Sequence, residues 1–121
     1  MKKIVIVDDE PSILMSLEYT FRKNKFDVFI ARDGQEALEL LEYVEPDLIL
    51  LDIMMPKVDG YQILKFIRNH PVLKDVRVVF VSAKNKEQDV SKGLEAGADA
   101  YVAKPFSLKK LVEQVNELLI S

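Results

Sequence analysis

The sequence of 121 residues contains no cysteine, which excludes disulfides and thiolate metal sites. Its single histidine, His70, falls at the predicted end of a helix, where an imidazole favours the carbonyl end of the dipole more readily than it acts in catalysis. No apolar run approaches the roughly 18 residues of a membrane span. The opening Met-Lys-Lys-Ile-Val carries positive charge, but Asp8, Asp9 and Glu10 interrupt it too early for a signal sequence, so a cytoplasmic location without membrane contact is expected. A net charge of −3 offers no general footprint for nucleic acid, and no direct binding to it is expected. Internal repeats, low-complexity segments, linkers and a glycine-rich phosphate loop are all missing. What is present, 49% hydrophobic and 31% charged residues, suits one soluble globular domain spanning 1–121, with no effector domain.

The chain is organised around Asp47-Leu48-Ile49-Leu50-Leu51-Asp52. This apolar run is too short for a helix and is bounded by Pro46 and Pro56, so it reads as a strand buried on both faces of a parallel sheet. Lys3–Val7 reads the same way and stops at Asp8-Asp9-Glu10. Phe26–Ala31, which carries Asp27, fits the sheet edge. Val76–Val81 ends at Ser82, and a short fifth strand, Ala100–Ala103, ends at Lys104-Pro105.

Helices are predicted between these strands. Pro11 opens the first, which carries Ile13, Leu14, Leu17 and Phe21 on one face and runs to about Lys23. Asp33-Gly34 opens the second, with Ala37, Leu38, Leu41 and Val44 inward and Pro46 ending it. Ile63, Leu64 and Ile67 mark the third, which stops before Pro71. The fourth, Lys86 to Leu94, has little apolar anchorage beyond Val90 and Leu94, contains Gly93, and is the expected mobile element. Leu108, Leu111, Val112, Val115, Leu118 and Leu119 mark the last, which Ser107 could cap. Strands alternating with helices imply an α/β fold: a five-stranded parallel sheet, helices on both faces and right-handed crossovers.

In such a sheet the ligand crevice lies outside the carboxyl ends of the strands. Asp8, Asp9, Asp52, Ser82 and Lys104 all stand there. Asp52 alone could merely cap a turn; the company it keeps argues otherwise. Carboxylates roughly 5 Å apart repel by about 3 kcal/mol per pair at an effective dielectric of about 20. A divalent cation would resolve that conflict, and hard oxygen donors point to Mg²⁺, with Mn²⁺ or Ca²⁺ as substitutes. Lys104 as a point charge and Ser82 as a hydroxyl donor would complete a cradle for a phosphoryl group. Asp52 on the central strand is then the expected nucleophile, forming an acyl phosphate.

With these residues in order, the chain resembles the receiver domain of two-component response regulators, chemotaxis-regulator-like in type. Asp8-Asp9, Asp52, Pro56 and Gly60, Ser82-Ala83 and Lys104-Pro105 match the family pattern in order and spacing, over essentially the whole length. The resemblance implies a flavodoxin-like, doubly wound sheet of order 2-1-3-4-5. It implies that Asp52 accepts phosphate from the phosphohistidine of a sensor histidine kinase or a phosphotransfer protein, or from small donors such as acetyl phosphate. Mg²⁺ would be held by Asp9, Asp52 and the backbone carbonyl of Met54, with Asp8 acting through water. Lys104-Pro105 would be a cis peptide. Ser82 and Tyr101 would be the switch pair, and the fourth helix, fifth strand and fifth helix would be the surface read by an output protein.

Met54 and Lys84, two residues beyond Asp52 and Ser82, offer no group to orient an attacking water, so slow self-dephosphorylation is expected. These two look like the winged-helix transcription-factor subfamily, yet Lys110, Gln114 and Ala100 depart from the charged pairs its members use to dimerise. A monomer or weak phosphorylation-dependent dimer is therefore expected, acting as a switch rather than a turnover enzyme. The alternatives are the N-terminal receiver part of a DNA-binding regulator and, more remotely, a Mg²⁺-dependent phosphatase working through an aspartyl phosphate. A phosphatase would carry an Asp-x-Asp arrangement and a cap insertion, which are missing. A flavin module on the same fold fits less well, since Asp8-Asp9-Glu10 replaces the hydroxyls and glycines its first loop needs.

Overall fold

Alternate residues along the inner strands face two separate apolar layers, and this decides the architecture. A computed structural model describes residues 1–120. The strands are β1 (Lys3–Val7), β2 (Asp27–Ala31), β3 (Leu48–Asp52), β4 (Arg77–Ser82) and β5 (Ala100–Ala103). The helices are α1 (Pro11–Lys23), α2 (Gly34–Leu40), α3 (Gly60–Arg68), α4 (Glu87–Glu95) and α5 (Leu108–Ile120). All strand pairs are parallel, in the order β2-β1-β3-β4-β5. Asp27 therefore lies on an edge strand, where a charged side chain reaches solvent.

On one face Ile4, Ile6, Leu48, Leu50, Val79 and Val81 pack with Leu14, Leu17 and Phe21 of α1 and Leu111, Val112 and Val115 of α5. On the other, Val5, Val7, Ile49, Leu51, Val78 and Phe80 pack with Ala37 of α2 and Ile63, Leu64 and Ile67 of α3. A strand buried on both faces must be apolar at every position, which is why β1 and β3 read as continuous runs.

The helix starts follow local chemistry. Asp33 accepts from the Glu36 N–H at 2.8 Å. Asp59 and Gln62 form a reciprocal capping box at 3.0 and 2.9 Å. Ser107 Oγ accepts from the Lys110 N–H at 3.2 Å, as expected of a cap.

Three local features depart from the sequence reading. Helix α2 ends at Leu40, and the Glu42 and Tyr43 N–H groups turn back to the carbonyls three residues earlier, a tightened last turn that still buries Leu41 and Val44. His70 does not serve the carbonyl end of α3: its Nδ1 accepts from the Val72 and Leu73 N–H groups at 3.0 and 3.2 Å. The imidazole thus holds the following turn, against the Phe66 ring, at the end of the sheet away from Asp52. Arg68, given no role by the sequence, donates to the carbonyls of Gly97, Lys74 and Val76 and to Asp99 at 2.7–3.2 Å. Asp99 also accepts from the Val78 N–H at 2.8 Å, so the end of α3 is fastened to the entries of β4 and β5.

At the opposite, carboxyl edge, the loop from β3 to α3 is drawn onto the strand by Gly60. Its N–H donates to the Ile53 carbonyl at 2.9 Å. A Cβ there would lie 2.8 Å from both Asp52 O and Ile53 Cα, and 3.2 Å from the buried Phe80 ring. Gly60→Ala is expected to destabilise the protein by about 1–3 kcal/mol despite alanine's better helix propensity, measured by urea unfolding.

Candidate functional site

The carboxyl ends of β1, β3, β4 and β5 bring the expected residues to one edge of the sheet. Asp8 and Asp9 follow β1, Asp52 closes β3, Ser82 closes β4 and Lys104 follows β5. Asp8, Asp52 and Ser82 are the buried polar residues among the described ones, whereas Asp9 is exposed. Carboxylate oxygens of Asp8, Asp9 and Asp52 lie within 4.8 Å of one another. Three hard oxygen donors at this spacing fit a divalent cation of the Mg²⁺ type.

Lys104 enters the same cluster. Its Nζ lies 2.9 Å from Asp8 Oδ2, 3.3 Å from Glu10 Oε1 and 3.8 Å from Asp52 Oδ1. Glu10 is the partner that sequence reasoning missed: it was read only as the end of a strand, and its pairing depends on how the β1–α1 loop turns back. That turn is fixed locally, because the Glu10 N–H donates to Asp8 Oδ1 at 2.9 Å. The Lys104–Pro105 bond is cis, and the Lys104 N–H donates to the Ser82 carbonyl at 2.8 Å.

The charges are unequally satisfied. Burial, followed by the negative charge of Asp8, pushes the Asp52 carboxyl up to about 7, against the pull of Lys104 and a long Met54 N–H bond at 3.4 Å. Burial alone would lower the Lys104 ammonium, but the hydrogen bond to Asp8 and the charge of Asp52 outweigh it and raise its pKa. Asp52 is thus a carboxylate that gains from an additional positive charge.

Ser82 and Tyr101, which the family resemblance pairs, both bond to Lys84. Ser82 Oγ accepts from the Lys84 N–H at 3.1 Å, one residue beyond the Asp52–Val81 register pair. Tyr101 on β5 is half-buried, its ring edge-on to Phe80 at 6.3 Å, and its hydroxyl donates to the Lys84 carbonyl at 2.6 Å. Beside them a groove of about 510 Å³ runs from Met54 and Lys84 to Tyr61, Lys92 and Tyr101. The Lys92 ammonium sits 4.7 Å from the centre of the Tyr61 ring, tying α4 to α3.

A family model described as the response regulator receiver domain matches residues 4–116. The chain belongs to this family. It is 42% identical over 118 residues to the alkaline phosphatase synthesis transcriptional regulatory protein PhoP of Bacillus subtilis, covering 98% of this chain and 48% of that protein. The chain therefore spans about half the length of that curated relative. Among solved structures it is similar to the receiver domain of the Francisella response regulator 1452, with a TM-score of 0.92, 34% identity, and 98% and 97% of the two chains covered. The Vibrio cholerae chemotaxis protein CheY4 gives a TM-score of 0.90 at 26% identity, covering 97% and 98%. This receiver domain has the five parallel strands in the order 2-1-3-4-5 that its family pattern implied. No described helix is long and apolar enough to cross a membrane.

The raised Asp52 pKa has a stability consequence. Between about pH 3.8, the ordinary value, and about 7, the folded protein keeps a proton that the unfolded chain has released, so stability falls as pH rises through that window. Lys104 stays charged throughout. In a chelator, the urea midpoint should drop from pH 5 to pH 8, a loss of at most about 3 kcal/mol, and Mg²⁺ should restore part of it. Asp52→Asn should flatten the profile and stabilise the metal-free protein at pH 8 by about 1–3 kcal/mol.

Proposed function

We propose that this domain is a phosphorylation-controlled signalling switch in which Asp52 accepts a phosphoryl group. The observation that carries the reading is the meeting of three strand-end carboxylates within 4.8 Å, with the Lys104 ammonium 3.8 Å from Asp52. A buried carboxylate at the mouth of a crevice, with a cation already beside it, suits attack on an activated phosphoryl donor. The donor is a phosphohistidine on a sensor histidine kinase or a phosphotransfer protein, or a small acyl phosphate.

Asp9, Asp52 and the Met54 carbonyl would hold Mg²⁺, with Asp8 acting through water; Mn²⁺ or Ca²⁺ could substitute. When bound, the metal supplies positive charge that the phosphoryl oxygens need during transfer. The protein's own residues do the rest. Asp52 Oδ forms the new bond to phosphorus as the donor's P–N bond (phosphohistidine) or P–O bond (acyl phosphate) breaks in line with it, releasing the histidine or the carboxylate. Lys104 turns its charge from Glu10 towards a phosphoryl oxygen, and the Ser82 hydroxyl donates to another. Phosphorylation at Asp52 thereby adds nearly two negative charges at a site with a lysine and a hydroxyl in reach.

The output surface is α4, β5 and α5, next to Tyr101. The partner is either a separate protein or a covalently attached DNA-binding region. The second reading is favoured by the similarity to PhoP, a transcriptional regulatory protein of which this chain spans about half. In either case the domain itself makes no contact with nucleic acid or membrane. It acts as a monomer or weak phosphorylation-dependent dimer in the cytoplasm and turns over no substrate beyond its own phosphoryl group.

Incubation with an acyl phosphate and Mg²⁺ should give one acid-stable, base-labile phosphate per chain, absent from Asp52→Asn. Continuous turnover of phosphate ester would instead favour a phosphatase. Met54 and Lys84 are both exposed and neither is a carboxamide or carboxylate that could orient an attacking water, so the label should persist for hours rather than seconds after the donor is removed. Met54→Asn, which introduces a carboxamide, should shorten that lifetime by roughly tenfold, measured by loss of ³²P.

A further inference from the structure

Gly93 stands in the middle of α4, where glycine weakens a helix, and it is the residue of α4 that is fully buried. A Cβ built on it would meet Tyr101 Cδ2 at 2.8 Å and Cε2 at 3.1 Å, and Phe80 Cδ2 at 3.2 Å. Phe80 cannot yield: it is wholly buried on β4, with Tyr61 packed on it at 5.1 Å. Tyr101 can. It is half-buried and held by its edge contact with Phe80 and one hydrogen bond from its hydroxyl to the Lys84 carbonyl. Lys84 is gripped at both ends, because its N–H donates to Ser82 Oγ.

We propose that Gly93 is a positioning residue: its missing side chain is the space that admits the Tyr101 ring against Phe80, and through Tyr101 it couples the seat of α4 to the loop bearing Ser82 and Lys84. The apparent weakness of α4 is then the condition for a close approach between α4 and β5. A Cβ at 93 pushes the ring off its seat on Phe80, strains the Tyr101–Lys84 bond and loosens that loop from α4. The regulatory half of this proposal rests on Asp52 being the phosphoacceptor; the steric half does not.

An unfolding cycle separates the two. Alanine for glycine inside a helix ordinarily raises stability. Here Gly93→Ala should lower the urea midpoint in the wild-type and Tyr101→Phe backgrounds, which keep the ring, and raise it in Tyr101→Ala, which lacks it. The proton NOE between the Tyr101 and Phe80 rings should vanish in Gly93→Ala. An equal rise in all three backgrounds with the NOE retained overturns the proposal. For the regulatory half, the same chain is titrated with beryllium fluoride and Mg²⁺ as a phosphoryl mimic. Gly93→Ala should bind it about fivefold or more weakly, the lower end of ordinary coupling between sites, and unchanged affinity overturns the coupling. If wild type does not bind the mimic, the phosphoacceptor reading fails, while the unfolding cycle still decides the steric role.

Discussion

Three carboxylates crowded at the end of a parallel sheet are a liability, and the Lys104 ammonium is what makes the crowd tolerable. It reaches Asp8, Glu10 and Asp52 at once, at 2.9, 3.3 and 3.8 Å, from the end of a different strand. The unequal distances matter more than their number. Asp8 receives the closest contact, while Asp52 is left under-compensated in a buried position and keeps a pKa near 7. A buried carboxylate that its own protein does not fully neutralise favours an added positive charge, which on the proposed reading a cation and then a cation-bound phosphoryl group would use. The fold keeps these charges from separating. β1, β3, β4 and β5 share one sheet with fixed register, so relaxing the repulsion by moving apart would cost apolar burial on both faces.

The strand-end residues were legible in the sequence because a strand buried on both faces announces itself and its end. Once β1, β3, β4 and β5 were placed, Asp8, Asp52, Ser82 and Lys104 had to converge. Glu10 was not legible as a partner of Lys104, since an exposed side chain in a loop has no periodicity to betray its direction. Arg68 escaped for another reason. Its acceptors are backbone carbonyls at Lys74, Val76 and Gly97, and carbonyls leave no mark on composition. His70 lies in the expected turn but has another partner: the helix-end rule expects an imidazole to serve the helix carbonyls, whereas here its Nδ1 accepts from two N–H groups of the following turn. Gly93 was read as a weak point of its helix, which it is by propensity. The compensating contact lies on β5, eight residues on by number and adjacent only in space.

The two ends of the sheet are built to different rules. At the amino end Arg68 and Asp99 are fully engaged, with charged bonds to carbonyls and an amide that leave little freedom for α3 or for the entries of β4 and β5. At the carboxyl end the bonds that matter are single and replaceable: Ser82 to the Lys84 N–H, Tyr101 to the Lys84 carbonyl, Lys104 to Glu10. Local stability in a domain is uneven, and motion is confined to where contacts are few. On the proposed reading, the densely bonded amino end would leave change at Asp52 to be expressed in α4 and its loop.

On the proposed reading, each contact the phosphoryl group makes is an exchange rather than a gain. When Ser82 turns towards a phosphoryl oxygen it abandons the Lys84 N–H; a charge-assisted bond of about 1.5–3 kcal/mol replaces a neutral one of about 1. The difference, about 0.5–2 kcal/mol, shifts a two-state equilibrium by roughly two- to thirtyfold. Lys104 likewise leaves Glu10, an exposed partner worth at most about 1 kcal/mol. Together the two exchanges fall short of the roughly 5.5 kcal/mol that would carry a 1:99 population to 99:1. Phosphorylation of this domain therefore biases α4, β5 and α5 without locking them. From such a starting population the remaining free energy would come from further contacts, among them those of a partner bound to that surface.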